Sequence, residues 1–186
     1  MHVWVVPLDD PDKKRRRELA HIAQSQLLGA YLGITPATVA IVRAPGGKPR
    51  LERDGLEFNL SHSEQLALLA VTQRLAVGVD VQGPHPTASK PWFARRICTP
   101  REYELFVADP RPEVLLRLWA RKEAVIKARG EGTYAAVSEI DVLEDTVAGG
   151  WRCLDLELVL EPDYHAAVAV RDEPGVAVRL LQFAWE

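Results

Sequence analysis

The chain is poor in sulfur: its 186 residues include two cysteines, Cys98 and Cys153, and one methionine. Two cysteines cannot build a disulfide framework, and no C-x-x-C or clustered His/Cys pattern points to zinc. No run of ~18 apolar residues occurs, so no helical membrane span is expected. Positive charge is not in excess. Lys plus Arg number 23 against 26 Asp plus Glu, a net charge of -3. A broadly basic nucleic-acid binder leans the other way. At the N-terminus the apolar VWVVP precedes the basic KKRRR, the reverse of a secretory signal. A reducing cytoplasm is the expected compartment. What remains is ordinary: 47% hydrophobic and 26% charged residues, the balance of a soluble globular chain. Its length exceeds the commonest single-domain size and falls short of two full domains.

Residues 3–7 read as a strand closed by Pro7. Asp9, Asp10 and Pro11 make a turn, Asp12 sits near the start of a helix over 12–32, and Gly33 ends it. Strands are expected over 38–43 and 56–61, separated by the turn cluster APGGKP (44–49). Residues 66–72 and 75–81 read as two paired strands with a tight turn at Gln73 and Arg74. The linker-like QGPHPTASKP (82–91) follows and suggests a boundary. Beyond it come two short helices (92–97 and 100–107) and a long one over 111–129 that stops at Gly130. Four strands are then expected, at 138–143, 151–160, 164–171 and 176–184. The pattern is α+β, in two halves, 1–84 and 85–186.

The long helix carries the sharpest chemical signal. At 100° per residue, Leu115, Leu116, Leu118, Trp119, Val125 and Ile126 form a broad apolar arc. Arg117, Arg121 and Ala128 fall on the opposite side, toward solvent. Lys122, Glu123 and Lys127 project within or at the edge of the apolar arc. Charges there are costly unless paired or metal-bound. Glu123 and Lys127 are i,i+4 neighbours, so one ligand could touch both; an ordinary rim salt bridge is the bland alternative.

A second signal is Asp80 in AVGVDVQ. Period two places it with Ala76, Gly78 and Gln82 on one strand face. Gly78 leaves room for close approach to the backbone, and Gln82 adds a neutral oxygen. A hard cation such as Mg²⁺ takes one or two carboxylates plus waters and substrate phosphates, which Asp80 with Glu123 would satisfy. Alone, Asp80 reads as a strand-end aspartate. A third signal, FNLSHS (58–63), puts Ser61 and His62 at a strand end as donors for an anion. A Ser-His acyl-transfer dyad is a weak competitor, because no G-x-S-x-G elbow is present. The loop RAPGGKP (43–49) is flexible and basic but lacks Walker spacing. Lys13 to Arg17 reads as a phosphate grip or, more simply, a solvated helix turn. Trp92 and Phe93 suit either docking or core packing.

Together these motifs resemble the 4′-phosphopantetheinyl transferases, in particular the Sfp-like W/KEA subgroup. In the family's order they are R-x-x-x-G-K-P (Arg43 to Pro49), F-N-x-S-H-S (Phe58 to Ser63), V-G-x-D-x (Val77 to Val81) and W-x-x-K-E-A-x-x-K (Trp119 to Lys127). The resemblance covers nearly the whole chain. It implies two pseudo-repeated α+β halves, a pseudo-dimer within one chain, with the active site between them. It implies transfer of the phosphopantetheine arm of coenzyme A onto a serine of an apo acyl or peptidyl carrier protein, releasing 3′,5′-ADP. Such proteins serve fatty acid, polyketide or nonribosomal peptide biosynthesis. Carried over residue by residue, Asp80 and Glu123 hold Mg²⁺, with Gln82 where many relatives have a third acidic ligand. Lys127 contacts the pyrophosphate. Arg43, Lys48, Pro49, Ser61 and His62 fall where coenzyme A is gripped. Glu123 and Lys127 are the catalytic candidates, Glu123 as base and Lys127 at the leaving phosphate. The amide at Gln82 implies a higher Mg²⁺ requirement than a carboxylate there. His21 and Ser25 stand where longer relatives carry arginines, and Lys13 to Arg17 could substitute. A carrier is expected to dock on the helices at 92–107, through Arg95, Arg96 and Phe106. A monomer is expected, without nucleic-acid or membrane partners. The competing readings are another Mg²⁺-dependent phosphoryl-transfer enzyme, a catalytically idle carrier-binding module, and a nucleic-acid-binding domain working through Lys13 to Arg17.

Overall fold

The computed structural model describes residues 1–52, 55–130, 137–159 and 161–185. The strands are β1 (His2–Pro7), β2 (Ile41–Arg43), β3 (Pro49–Leu51), β4 (Glu57–Ser63), β5 (Leu66–Thr72), β6 (Val77–Gln82), β7 (Thr146–Val147), β8 (Trp151–Leu156), β9 (His165–Arg171) and β10 (Arg179–Gln182). The helices are α1 (Lys13–Leu32), α2 (Pro91–Ile97), α3 (Pro100–Ala108) and α4 (Pro112–Arg129). The fold is mixed α+β.

Helix ends follow local chemistry. The Asp12 side chain caps α1 by accepting from Arg15 N at 2.8 Å, satisfying one of the orphan first-turn donors. Gly33 closes α1 and Gly130 closes α4, at φ 66° and 72°, the left-handed region that costs glycine least. Thr99 and Glu102 form a capping box at α3.

Two four-stranded sheets stack, in the orders β10-β1-β5-β4 and β6-β9-β8-β7. Val3, Val5, Leu66, Leu68 and Ala70 of the first meet Val77, Val79, Val81 and Val168 of the second. Helix α1 covers the outer face of the first sheet, with Ala20, Ala23, Leu27 and Leu28 against Phe58, Ala67, Leu69 and Val71. Helix α4 covers the outer face of the second, with Leu115, Leu118 and Ala124 near Cys153, Ala167 and Ala169. The layers therefore run helix, sheet, sheet, helix. Strand β5 is buried along its whole length, which is why it reads as an unbroken apolar run.

The two layers repeat a topology. In β1-α1-β4-β5 the strands lie in the order β1-β5-β4, antiparallel. In β6-α4-β8-β9 they lie in the order β6-β9-β8, also antiparallel. The chain crosses from one unit to the next over residues 73–76, ahead of the expected 84/85 division, and β10 crosses back to pair parallel with β1.

Several expectations are corrected. Residues 66–72 and 75–81 do not form a hairpin. Strand β5 is already flanked by β1 and β4, while β6 pairs with β9 in the other sheet. The strand over 38–43 shortens to β2, because Pro36–Thr38 is a 3-10 turn. Residues 137–139 are a 3-10 turn rather than the start of a strand over 138–143. Strand β8 ends at Leu156, and residue 160 of the expected strand lies outside the described residues. Arg121 and Ala128 do not face solvent; they are 1% and 2% exposed. Helix α4 is covered on its far side by the segment that runs from residue 137 to β7. Arg121 donates to the carbonyls of Val142 (2.7 Å), Glu144 (2.7 Å) and Cys153 (3.1 Å) there. Phe106 is core rather than docking surface.

Candidate active site

Strand β6 and helix α4 approach more closely than side chains normally allow. A Cβ at Gly78 would lie 2.1 Å from Ala124 O and 2.3 Å from Ala128 N. The glycine therefore lets the strand lie directly on the helix backbone. Lys48 Nζ donates to Val77 O at 2.9 Å and to Ala128 O at 3.3 Å, tying the start of β6 to the last turn of α4. Asp80, two residues past Gly78, meets Lys127 of the same helix.

The edges of β4 and β6 also meet, through side chains rather than a backbone ladder. Asn59 Oδ1 accepts from Val79 N at 2.9 Å, Ser61 Oγ donates to Asp80 Oδ1 at 2.7 Å, and Ser63 Oγ accepts from Gly83 N at 3.0 Å. Alternate residues of FNLSHS thus stitch the two sheets together, with the strands parallel. An exposed sheet edge presents unpaired backbone groups; here Lys48, Asn59 and Lys127 satisfy several of those on β6, and Ser63 takes the N–H of Gly83 just beyond it. The period-two spacing of Asn59, Ser61 and Ser63 was the signal for this seam; Asn59 and Ser61 were legible as one polar face, but not the second sheet that this face meets.

Asp80 is the hub. It is 2% exposed. Its Oδ1 accepts from Ser61 and from Lys127 Nζ at 2.5 Å, and its Oδ2 accepts from Gln82 Nε2 at 2.6 Å. Lys127 Nζ also reaches Ser61 Oγ at 3.0 Å. Ser61, Asp80, Gln82 and Lys127 are therefore one hydrogen-bonded cluster, drawn from three elements. Beside it opens a cleft of about 400 Å³ lined by Arg43, Lys48, Pro49, Glu123 and Lys127, together with Asn59 and the glycines of the 43–49 loop. That loop packs against the end of α4: a Cβ on Gly46 would lie 2.2 Å from Gly130 O.

The remaining residues are placed as follows. Arg43 is tied to its own loop, donating to Gly47 O at 2.9 Å. Burial lowers the Lys48 pKa from its ordinary value, with Glu57 opposing the shift. His62 does not join the Asp80 cluster; it points away, exposed, toward α1. Lost hydration, then the charges of His21, Arg17, Lys127 and Lys13, push its imidazole pKa down. Lys13, Arg17 and His21 recur at i, i+4 and i+8, so they share one face of α1. Lys122, in the same motif as Glu123, faces the opposite way. It pairs with Glu102 at 2.7 Å, both fully buried, and donates to Val137 O and Ile140 O. Glu102 also takes the Val142 N–H at 2.9 Å. This pair holds α3, α4 and the 137–142 segment together and lies away from the cleft.

The donor chemistry suits a hard divalent cation. Asp80 and Glu123 are buried carboxylates on adjoining elements, beside a cleft with room for a phosphate-bearing ligand. Among the described residues no group of three or more His, Cys, Asp or Glu side chains offers an all-protein cage. Two carboxylates completed by waters and phosphates is the pattern that Mg²⁺ prefers. Among the described residues, no helix is long and apolar enough to cross a membrane.

Comparison with known proteins places this architecture. The model of the 4′-phosphopantetheinyl transferase superfamily matches residues 76–171, the span from just before β6 to the end of β9. The chain is 34% identical to the 4′-phosphopantetheinyl transferase HetI of Nostoc sp. (strain PCC 7120), over 91% of this chain and 87% of HetI. It is 33% identical to the 4′-phosphopantetheinyl transferase AcpT of Escherichia coli (strain K12), over 53% of this chain and 52% of that protein. With AcpT of Salmonella typhimurium the identity is 32%, over 66% and 64%. The chain is a transferase and belongs to the 4′-phosphopantetheinyl transferase superfamily.

Proposed function

We propose that this protein transfers the 4′-phosphopantetheine arm of coenzyme A onto a serine of an apo acyl or peptidyl carrier protein, releasing 3′,5′-ADP. The observation that carries this reading is the Ser61–Asp80–Lys127 cluster, set beside a cleft whose rim is the basic glycine loop. The serine oxygen attacks the phosphorus that bears the arm. A new O–P bond forms, and the P–O bond to the adenosine phosphate breaks. Lys127 stabilises the charge that develops on the departing phosphate. Glu123, on the same helix and lining the cleft, accepts the serine proton. Asp80 and Glu123 would hold Mg²⁺, which supplies charge neutralisation on the diphosphate. Gln82 would add its amide oxygen once its nitrogen releases Asp80. Arg43, Lys48, Pro49 and Ser61 grip coenzyme A on the cleft side. His62 and the Lys13–Arg17–His21 face form a basic strip for the nucleotide phosphates.

The repeated β-α-β-β units support a pseudo-dimer within one chain, and the W-x-x-K-E-A motif on α4 supports the Sfp-like subgroup. The carrier docks near α2, where Trp92 is 56% exposed and Arg95 and Arg96 are exposed; an acidic partner suits such a surface. The test is product analysis. Incubated with coenzyme A, an apo carrier protein and Mg²⁺, the enzyme should yield one 3′,5′-ADP per carrier modified, and Glu123→Gln should slow this about 10²- to 10⁴-fold. Release of inorganic phosphate without carrier modification would mark a different phosphoryl-transfer enzyme.

A further inference from the structure

Asn59 has a half that the seam does not use. Its carbonyl oxygen is fixed by the buried Val79 N–H at 2.9 Å, and that bond sets the orientation of the amide. The opposite end, the N–H₂ group, finds no acceptor among the described residues. The side chain lines the cleft beside Lys48, Glu123 and Lys127, and the residue is only 6% exposed. The N–H₂ end therefore opens on the cleft, where a ligand can accept from it. The neighbouring stitches of the seam, Ser61 and Ser63, make their bonds with a single hydroxyl. Only at position 59 does the seam use a side chain with a second polar end.

We propose that Asn59 is a ligand-contacting residue, whose amide N–H₂ donates to a phosphate oxygen of the diphosphate bound in this cleft. Val79, which fixes it, precedes Asp80 and also faces Lys127 Nζ at 3.4 Å. The neutral donor thus sits beside the cation that meets the same diphosphate. One end of Asn59 holds the two sheets in register, and the other reads the ligand. This inference rests on the coenzyme A reading given above.

Asn59 is the only asparagine in the sequence, so selective ¹⁵N labelling of asparagine side-chain amides gives one pair of N–H₂ signals. Added coenzyme A should move that pair and slow solvent exchange of one of its protons. Inorganic pyrophosphate should do the same, and adenosine should not. A pair that stays unmoved while coenzyme A binds, as read from tryptophan fluorescence, overturns the inference alone. No binding of coenzyme A by either readout overturns the parent reading, and the inference with it. A response to adenosine but not to pyrophosphate removes the phosphate assignment. As a second arm, Asn59→Asp keeps the oxygen for Val79 N–H and removes the donor. It should still show a cooperative melt and bind coenzyme A about ten- to a hundredfold more weakly. Wild-type affinity in a folded Asn59→Asp protein would refute the contact.

Discussion

Gly78→Ala is the most exacting test of how the site is built. Considered as a strand residue alone, the change should help, since glycine in a strand costs roughly 0.5–1 kcal/mol relative to alanine. Packing predicts the opposite. The added methyl would stand 2.1 Å from Ala124 O, 2.3 Å from Ala128 N and 2.9 Å from the Lys127 carbonyl carbon. All three are backbone atoms of α4, so no rotamer change can relieve the overlap. Opening the nearest contact to even 3.0 Å moves helix and strand apart by about 0.9 Å. Overpacking of this kind costs about 1–3 kcal/mol, which outweighs the propensity gain. For a chain of this size that lowers Tm by about 2–12 °C. The catalytic effect should be larger. The same shift separates Lys127 and Glu123 from Asp80, and a misplacement of ~1 Å costs about 10²-fold in rate. Thermal melts and carrier modification, measured well below both melting temperatures, read the two effects separately. A variant that melts at or above the wild type and modifies carrier at the wild-type rate would refute the close packing of β6 on α4.

Four further outcomes are expected. Lys122→Ala removes the ion partner of the buried Glu102 and should cost about 3–5 kcal/mol of stability by chemical denaturation; replacing both residues with apolar ones of similar volume should recover most of it. The His62 pKa is lowered in the folded protein, so the unfolded chain binds the extra proton more readily and stability should fall as pH drops below the ordinary histidine range. Phosphate binding beside His62 favours its charged form, so coenzyme A affinity measured by calorimetry should rise from pH 8 toward 6, with proton uptake, and flatten in His62→Ala. Arg95→Glu with Arg96→Glu should raise KM for the carrier and leave coenzyme A affinity unchanged; the opposite pattern would move the docking surface elsewhere.

Much of this was legible in the sequence because local chemistry decided it. Asp12, Gly33, Thr99 and Gly130 mark helix ends through caps that need no tertiary partner. Gly78 was readable as a place of close backbone approach, but not that a helix of the same chain is what approaches. The hairpin expected over 66–81 fails because strand pairing depends on which edges other strands already occupy: β4, the strand just before β5, takes one edge and β1, from the start of the chain, takes the other. Arg121 illustrates a different limit. Helical geometry placed it opposite the apolar arc, but the segment leading to β7 buries that side as well and supplies the carbonyls a guanidinium needs. Lys122 and Glu102 form a pair whose partner lies on another helix, so periodicity marked one buried charge and could not name the other. Asp80, Glu123 and Lys127 stood out because each is a charge where apolar neighbours make charge expensive.

The central claim is that this cleft moves the arm of coenzyme A onto a carrier serine. Intact-mass spectrometry of an apo carrier protein, incubated with coenzyme A, Mg²⁺ and this enzyme, tests it most directly. The carrier serine should gain the mass of one phosphopantetheine, and the gain should be lost with Asp80→Ala. A carrier mass that stays at the apo value with every carrier class offered, while the enzyme is folded and binds coenzyme A, would contradict it.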